Sequence, residues 1–407
     1  MEASAFSGTL MRTTEVIVVG AGPVGTSAAL ALANAGVDVI VCEAGPTCAK
    51  DLRASTFHPP TLEMLDELNV ADEIIDRGLK ASKYHFRERS TGEYLEFDLA
   101  ELSNELRFPY RVQCEQHVMA SLLADRLAQH DNAEVLFNCR ALSFVQDDEF
   151  VTVAVEHPYS VEKIRARYVI AADGGNSIMR KWLDVKFDGF TYAEKFLCLS
   201  TKEELSDYID NLVYVNYVAD ASEWLVLLRV PSVWRILVPA SEDESDEALL
   251  SDASRDNIFE RLIGKSGVKT EHRTIYRVHQ RVAQRFNHHR VFLAGDSAHL
   301  NNPLGGFGMN SGIHDAWNVQ QKIVHCLAHG HDEKLFDKFD RQRRTVTHNF
   351  IQAQTKHNKE LLEHGAAEGH AKRFERMRAT QADDNLRREF LLRQSMVQSL
   401  ADAAAIQ

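Results

Sequence analysis

Hydrophobic positions follow two patterns that divide the chain. Glu15–Val19 (EVIVV) and Val37–Cys42 (VDVIVC) are nearly unbroken β-branched runs, which predicts strands covered on both faces. Between them, Thr26–Asn34 is rich in alanine and leucine and stops before Gly36, which predicts a helix with glycine at its C-terminal cap. A further helix is predicted over Pro60–Leu68, paired strands with alternating polarity over Ala133–Glu156, and buried strands at Tyr168–Ala172 and Val291–Ala294. In the middle of the chain NLVYVNYVA, EWLVLLRVP and VWRILVPA read as successive antiparallel strands, with turns near Ala219–Ser222 and at Pro231-Ser232. From Lys334 onward the periodicity is helical, with breaks at Gly365, Gly369 and Asp383-Asp384. Leu391, Leu392, Met396 and Leu400 fall at helical spacing and are assigned to core or dimer packing. The expected class is α/β with α+β insertions.

The link between the first two strands carries chemistry. Gly20-x-Gly22-x-x-Gly25 leaves the first strand and opens the helix, and the second strand ends on Glu43. Gly20 permits the tight turn, Gly22 lets the backbone approach a pyrophosphate at the positive helix N-terminus, and Gly25 lets the helix pack on the strands. Pro23 and Val24 lie between the second and third glycines, and Glu43 can accept both hydroxyls of a ribose, which disfavours a 2′-phosphate. The motif alone leaves NAD and FAD both open.

Composition narrows the partners. The 407 residues allow two or three domains, with 44% hydrophobic and 26% charged residues, as in ordinary globular chains. Lys+Arg total 46 against 59 Asp+Glu, a formal charge of −13 with no clustered basic tract. That balance argues against nucleic acid or an anionic membrane surface as the main partner. The 6 cysteines show neither C-x-x-C nor zinc spacing, as expected for reduced thiols, and no metal site is assigned. HCLAHGH (His325–His331) has no accompanying carboxylates or cysteines and reads as a polar helix end. No stretch approaches the roughly 18 apolar residues of a membrane span, and the N-terminus lacks a secretory pattern, so a cytoplasmic protein is expected.

A nicotinamide dehydrogenase should continue through repeated βαβ units, and this chain does not. Instead YVIAA ends on DGGNSIMR (Asp173–Arg180), and VFLA ends on GDSAHLNNPLGGFGMN (Gly295–Asn310). With GAGPVG and the distal Glu43, these motifs resemble the group A FAD-dependent aromatic monooxygenases, the family of p-hydroxybenzoate hydroxylase, over residues 14 to about 350. The resemblance implies a Rossmann-like FAD-binding domain of that type, an antiparallel-sheet substrate domain and a C-terminal helical segment. It places the FAD pyrophosphate on Gly20, Gly22, Pro23, Val24 and Gly25, the ribose on Glu43, and Arg53 and Gln116 (with Gln113 the weaker match) by the ribityl-pyrophosphate. Asp173 matches a motif tied to both FAD and reduced nicotinamide, and Asp296 a ribityl hydroxyl. Gly306, Gly308, Met309 and Asn310 would lie along the flavin ring, whose reduced form is anionic and suits a helix N-terminus.

The implied reaction is hydroxylation of a small phenolic or N-heteroaromatic ring with O2 through a flavin C4a-hydroperoxide, NADH or NADPH visiting as transient co-substrate. The expected division is an N-terminal extension over 1–12, an FAD unit over 13–180 and 281–350, a substrate sheet over 181–280 and helices over 351–407. Tyr217, Arg235 and Tyr214 are the substrate-side candidates, followed by Trp224, Arg229, Tyr192 and His58. A second copy of the chain is a candidate partner. Two other readings stay open: an oxidase, reductase or halogenase on the same fold, or an FAD-binding sensor without turnover. WRILVP (Trp234–Pro239) lacks the second tryptophan of the halogenase box.

Overall fold

The computed structural model describes residues 11–50, 54–219, 224–362 and 367–407. The β-branched runs form the centre of the first sheet. Strand Arg12–Val19 lies between Val39–Cys42 and Ser160–Ala171, and the sheet extends to Ala133–Leu136 on one side and Val291–Leu293 on the other, all parallel. Val16, Ile17 and Val18 are fully buried because helices cover the sheet. Helix Pro23–Asn34 packs between the sheet and helices Gln116–Leu127 and Phe307–His329. A hairpin of Arg140–Gln146 and Val151–His157 pairs antiparallel onto the near half of Ser160–Ala171. The first strand starts at Arg12, inside the segment expected as an extension, because Arg12–Thr14 find partners in Ile164–Ala166.

The second sheet has eight strands, in the order His299–Leu300, Thr270–Ala283, Phe187–Thr201, Trp234–Ala240, Leu225–Arg229, Val215–Ala219, Lys83–Glu88 and Tyr94–Asp98. The three central antiparallel strands stand where the alternation placed them; the turn expected at Ala219–Ser222 falls mostly outside the described residues. One boundary changes. Lys83–Glu88 and Tyr94–Asp98, expected with the FAD unit, belong to this sheet, through a parallel pairing of Asn216 with His85 and Tyr217 with Phe86. A pairing across more than a hundred residues leaves no local trace in sequence.

The two faces of this sheet have different covers. Leu197, Leu199, Leu227 and Ile236 pack under helix Asp252–Ile263 through Ile258 and Phe259. Phe86, Phe97, Phe196, Tyr217 and Leu237 face Leu304 of the glycine-rich segment and the C-terminal helices. Those helices are Ala353–Leu362, Ala367–Ala382, Asp384–Gln394 and Val397–Ala405, while Glu333–Val346 packs on the first sheet through Phe336 and Phe339. Leu391 and Met396 are fully buried, and Phe390 sits 4.7 Å from Phe97, ring centre to ring centre, so the apolar spacing there serves the core. A small third sheet, Thr56–Phe57, Arg111–Gln113 and Leu79–Ala81, lies by the glycine-rich segment. Among the described residues no helix is long and apolar enough to cross a membrane.

Candidate active site

All three motifs leave the carboxyl ends of adjacent parallel strands, where ligands of open α/β sheets bind. The Ala172 N–H donates to Val19 O at 2.9 Å and the Ala294 N–H to Ala171 O at 3.0 Å, so the three turns stand side by side. Gly20 has φ of +103°, and a Cβ there would lie 2.5 Å from Ala172 O. A Cβ on Gly25 would lie 1.9 Å from Gly20 O, so both glycines are required by the fold itself. Gly22 differs: its backbone is extended, with φ of −77°, and an added Cβ meets nothing within 4 Å. Val24 packs beneath Gly295 and Gly312, and Pro23 opens the helix, whose N-terminus has no side-chain cap. Glu43 receives the Ala21 N–H at 2.7 Å and the Gly45 N–H at 2.8 Å, which holds the carboxylate beside the glycine turn.

In the second motif the Asp173 carboxylate accepts the Met179 N–H at 3.1 Å through Oδ2, while Oδ1 is buried without a partner. Burial pushes this carboxyl up in pKa, against the pull of its Ser177 and Met179 hydrogen bonds. Arg180 donates to Ser297 O at 2.8 Å and Gly175 O at 2.6 Å, clamping the second motif to the third. Asp296 lies in the turn Gly295–Ser297, directly after the strand. Gln116 opens helix Gln116–Leu127 and donates its N–H to Ala54 O at 3.1 Å. Arg53 lies outside the described residues.

The glycine-rich segment ends in two consecutive left-handed residues, Gly305 (φ +102°) and Gly306 (φ +70°), which turn the chain into helix Phe307–His329. No side chain caps that helix either, so the first backbone N–H groups are left for a ligand. Gly308 and Met309 are in this first turn, and an added Cβ on Gly308 would only touch Asn301 at 3.5 Å. The Asn310 side chain is engaged within the protein. Its Oδ1 accepts the His58 N–H at 3.0 Å, and its amide donates to Thr56 O at 2.8 Å and Gly306 O at 2.7 Å. Asn310 thus ties the glycine turn to the small sheet, and only its backbone is available to a flavin ring.

These features fit a bound dinucleotide with a flavin. Two uncapped helix N-termini, the open space at Gly22 and the orphaned Asp173 Oδ1 are each incomplete within the protein alone.

Two buried groups that sequence patterns did not single out hold this arrangement. Asp315, fully buried in the long helix, accepts the Gly295 N–H at 3.0 Å, His299 Nε2 at 2.8 Å and Arg343 Nε at 2.6 Å. Burial alone would push its carboxyl up, but Arg343 and His299 hold it below its ordinary value. Arg343 stands 28 positions along the chain, beyond any local pattern. The neighbouring His314, also buried, bonds Thr61 Oγ1 at 3.1 Å. Burial, aided by the Arg343 charge, depresses its pKa from 6.5 to about 3. The unfolded chain therefore takes up a proton that the folded one refuses, so this histidine costs stability as pH falls from 6.5 toward 3. His314→Phe is expected to flatten the acid limb of urea-unfolding free energy by about 1.4 kcal/mol per pH unit in that window.

On the substrate side, Tyr217 and Arg235 share the sheet face that looks toward Leu304; both are buried, and the Tyr217 ring stacks on Phe86 at 5.1 Å. Tyr214 is not brought to them: it precedes its strand and is 41% exposed. Arg229 points to the opposite face, over the Trp234 ring at 5.8 Å, and Trp224 packs edge-on to Phe196 at 5.3 Å. Tyr192 bridges Gln280 (3.5 Å) and Asn302 (3.4 Å) beside the glycine-rich segment. His58 is fully buried, and burial lowers its pKa well below 6.5, with the Arg111 charge adding to the shift. Its Nε2 lies 2.8 Å from Gly305 O, which can only accept, so the neutral ring carries its proton on Nε2.

Residues 13–354 match the family model described as "FAD binding domain". The chain is 31% identical over 341 residues to a para-nitrophenol 4-monooxygenase of Pseudomonas sp. (strain WBC-3), covering 81% of this chain and 83% of that one. It is 28% identical over 331 residues to a 6-hydroxy-3-succinoylpyridine 3-monooxygenase of Pseudomonas putida (strain DSM 28022 / S16), covering 81% and 84%. Among solved structures, the p-nitrophenol 4-monooxygenase of Pseudomonas putida DLL-E4 superposes with a TM-score of 0.89 at 29% identity, covering 96% of this chain and 99% of that one.

Proposed function

The chain belongs to the FAD-binding-domain family of flavin-dependent aromatic hydroxylases, and from that premise we propose that it adds one oxygen atom from O2 to a small hydroxylated aromatic or N-heteroaromatic ring, with NADH or NADPH as reductant. What carries the reading is the end-to-end match to a nitrophenol monooxygenase, 96% of one chain against 99% of the other.

FAD, when bound, supplies the redox chemistry that activates O2. The protein's own part is holding, orienting and drying. Gly20, Gly22 and Gly25 with the uncapped helix at Pro23 would hold the pyrophosphate, and Glu43 the ribose. Gln116, with Arg53, would flank the ribityl-pyrophosphate, Asp296 would bind a ribityl hydroxyl, and Asp173 belongs to the motif that serves FAD and the reduced nicotinamide. The N–H groups at the start of Phe307–His329 would face the anionic edge of the reduced ring. We assign this work to residues 13–180 and 281–350, with Lys83–Asp98 contributing to the substrate sheet instead. Tyr217 and Arg235 roof the substrate from that sheet, and the cover of Leu361, Leu362, Met377 and Leu391 keeps the chamber dry. A cytoplasmic setting supplies the reduced nicotinamide.

The test is direct. Purified protein reconstituted with FAD is expected to oxidise NADH or NADPH faster when phenols or hydroxypyridines are added, and to release a product heavier by one oxygen. Oxygen uptake that ignores every aromatic would move the reading to an oxidase, and no uptake of FAD would remove it.

A further inference from the structure

Two of the six cysteines meet beside the carboxylate assigned to the ribose. Cys42 ends strand Val39–Cys42, immediately before Glu43, and Cys139 leads into strand Arg140–Gln146. Backbone bonds clasp the two segments: the Glu43 N–H donates to Leu136 O at 2.9 Å, and the Cys139 N–H donates to Glu43 O at 2.8 Å. The side chains meet as well, the Cys42 thiol hydrogen-bonding to the Cys139 sulfur. Both thiols are free and buried, with exposures of 1% and 0%.

A third group converges on the same sulfur. Glu156 pairs with Arg140 in the adjacent hairpin, which brings His157 opposite Cys139. His157 Nε2 lies 3.9 Å from Cys139 Sγ and 2.9 Å from Glu162 Oε1. A carboxylate only accepts, so Nε2 carries a proton, and its N–H is shared between Glu162 and the sulfur. Cys139 Sγ thus faces two donors, the Cys42 S–H and the His157 N–H, and both favour its thiolate. The hydrogen bond from Cys42, with the help of His157 and against burial, holds the Cys139 thiol below its ordinary pKa, and the same contact pushes Cys42 up. Burial pushes the thiols of Cys48, Cys114, Cys198 and Cys326 up instead. A nucleophilic sulfur touching a protonated thiol is the arrangement that closes to a disulfide on oxidation. The His157 side chain, 23% exposed, is the part of this group nearest to water after Glu162.

We propose that Cys42 and Cys139 form a peroxide-responsive thiol pair whose disulfide weakens the binding of FAD. The Cys139 thiolate attacks one oxygen of hydrogen peroxide; an S–O bond forms, the O–O bond breaks, and the departing hydroxide takes a proton to leave as water. The Cys42 sulfur, giving up its proton, then attacks the sulfenic sulfur; the S–S bond forms, the S–O bond breaks, and a second water leaves. Two thiols are oxidised by the loss of two hydrogens, and one peroxide is reduced to two waters. Bond formation draws the sulfurs from contact to bonding distance. Glu43 follows Cys42 in the chain and accepts the Cys139 N–H, so its carboxylate is pulled from the Ala21 and Gly45 N–H groups that aim it. The effect on FAD rests on the placement of the ribose at Glu43. The hydroxylase reading supplies the oxidant, because reduced flavin that meets O2 without an aromatic substrate yields peroxide.

The test treats the reduced full chain with a small excess of hydrogen peroxide. One portion is digested without reductant for mass analysis, and another is titrated with FAD by fluorescence. The expected result is a peptide pair joined through Cys42 and Cys139, lighter by two hydrogens, and an FAD dissociation constant raised at least about tenfold, both reversed by dithiothreitol. Cys42→Ala is expected to stop at a Cys139 sulfenic acid that dimedone traps, with FAD affinity within about twofold of the reduced wild type. Should that variant fail to fold, Cys139→Ala replaces it, with neither disulfide nor peroxide-dependent loss of FAD expected. His157→Gln is expected to slow disulfide formation at neutral pH by about tenfold while the reduced protein keeps its FAD affinity. Absence of the joined peptides overturns the proposal. So does a joined pair that leaves FAD affinity unchanged, or an equal loss of FAD in Cys139→Ala. Phenol-stimulated NAD(P)H oxidation by the reduced protein is measured separately, and its absence would sink the hydroxylase reading while the thiol pair still stands or falls on its own result.

Discussion

Asp315→Ala is expected to destabilise the protein by about 3–5 kcal/mol, the usual cost of removing one partner from a fully buried ion pair. The loss has three parts. Arg343, 1% exposed, would keep its charge in the core without the carboxylate 2.6 Å away, the buried His299 would lose its partner at 2.8 Å, and the Gly295 N–H would lose its acceptor at 3.0 Å. Because Gly295 starts the turn that carries Asp296, the variant is expected to lose bound FAD before it loses secondary structure. Urea unfolding and the flavin-to-protein absorbance ratio measure the two effects on the same samples. Removing both charges, as Asp315→Ala with Arg343→Met, is expected to recover part of the stability but not the flavin, since the turn still lacks its anchor. The folded carboxyl titrates below the ordinary 3.8, so its stabilisation is in place above that pH and disappears only as pH falls through the lower, folded value. Mild acid should spare this ion pair.

Gly22→Val is expected to give a folded protein that no longer holds FAD, with the dissociation constant raised by about 100-fold or more, ~2.7 kcal/mol of binding. The backbone at Gly22 is in the extended region open to any residue, and a Cβ there meets no protein atom within 4 Å. Thermal stability of the FAD-free protein should therefore stay within about 0.5 kcal/mol of the parent. Any loss reflects a ligand that needs the space. Gly25→Ala is the contrasting variant: its methyl would lie 1.9 Å from Gly20 O, so the turn itself must break and stability falls with or without FAD. Fluorescence titration with FAD, set beside melting of the FAD-free proteins, separates the two. Retention of FAD by Gly22→Val would remove the pyrophosphate from this turn.

Local patterns settle a good deal here. Three consecutive β-branched residues need cover on both faces, so Val16–Val18 form a central parallel strand whatever lies around them. The glycine turn, its helix and Glu43 follow within thirty positions, where spacing constrains geometry tightly, and the alternation over Val215–Ala240 is strong enough to mark three antiparallel strands. Other features depend on pairs of residues far apart in the chain. Lys83–Glu88 joins the second sheet through a strand near position 217, Arg343 reaches back to Asp315, and the Asn310 side chain is occupied by Thr56, Gly306 and the His58 backbone. Nor does position along a strand tell which tyrosine is usable: Tyr217 is buried on the inner face and Tyr214 stands in solvent. The polar face of the small sheet is the clearest case. The sequence marks His58 as a substrate-side candidate and Gln113 as the weaker match for the flavin glutamine, but does not join either to Arg111. Folding buries the three together, and the cost of an unpaired polar atom arises only once water has been removed.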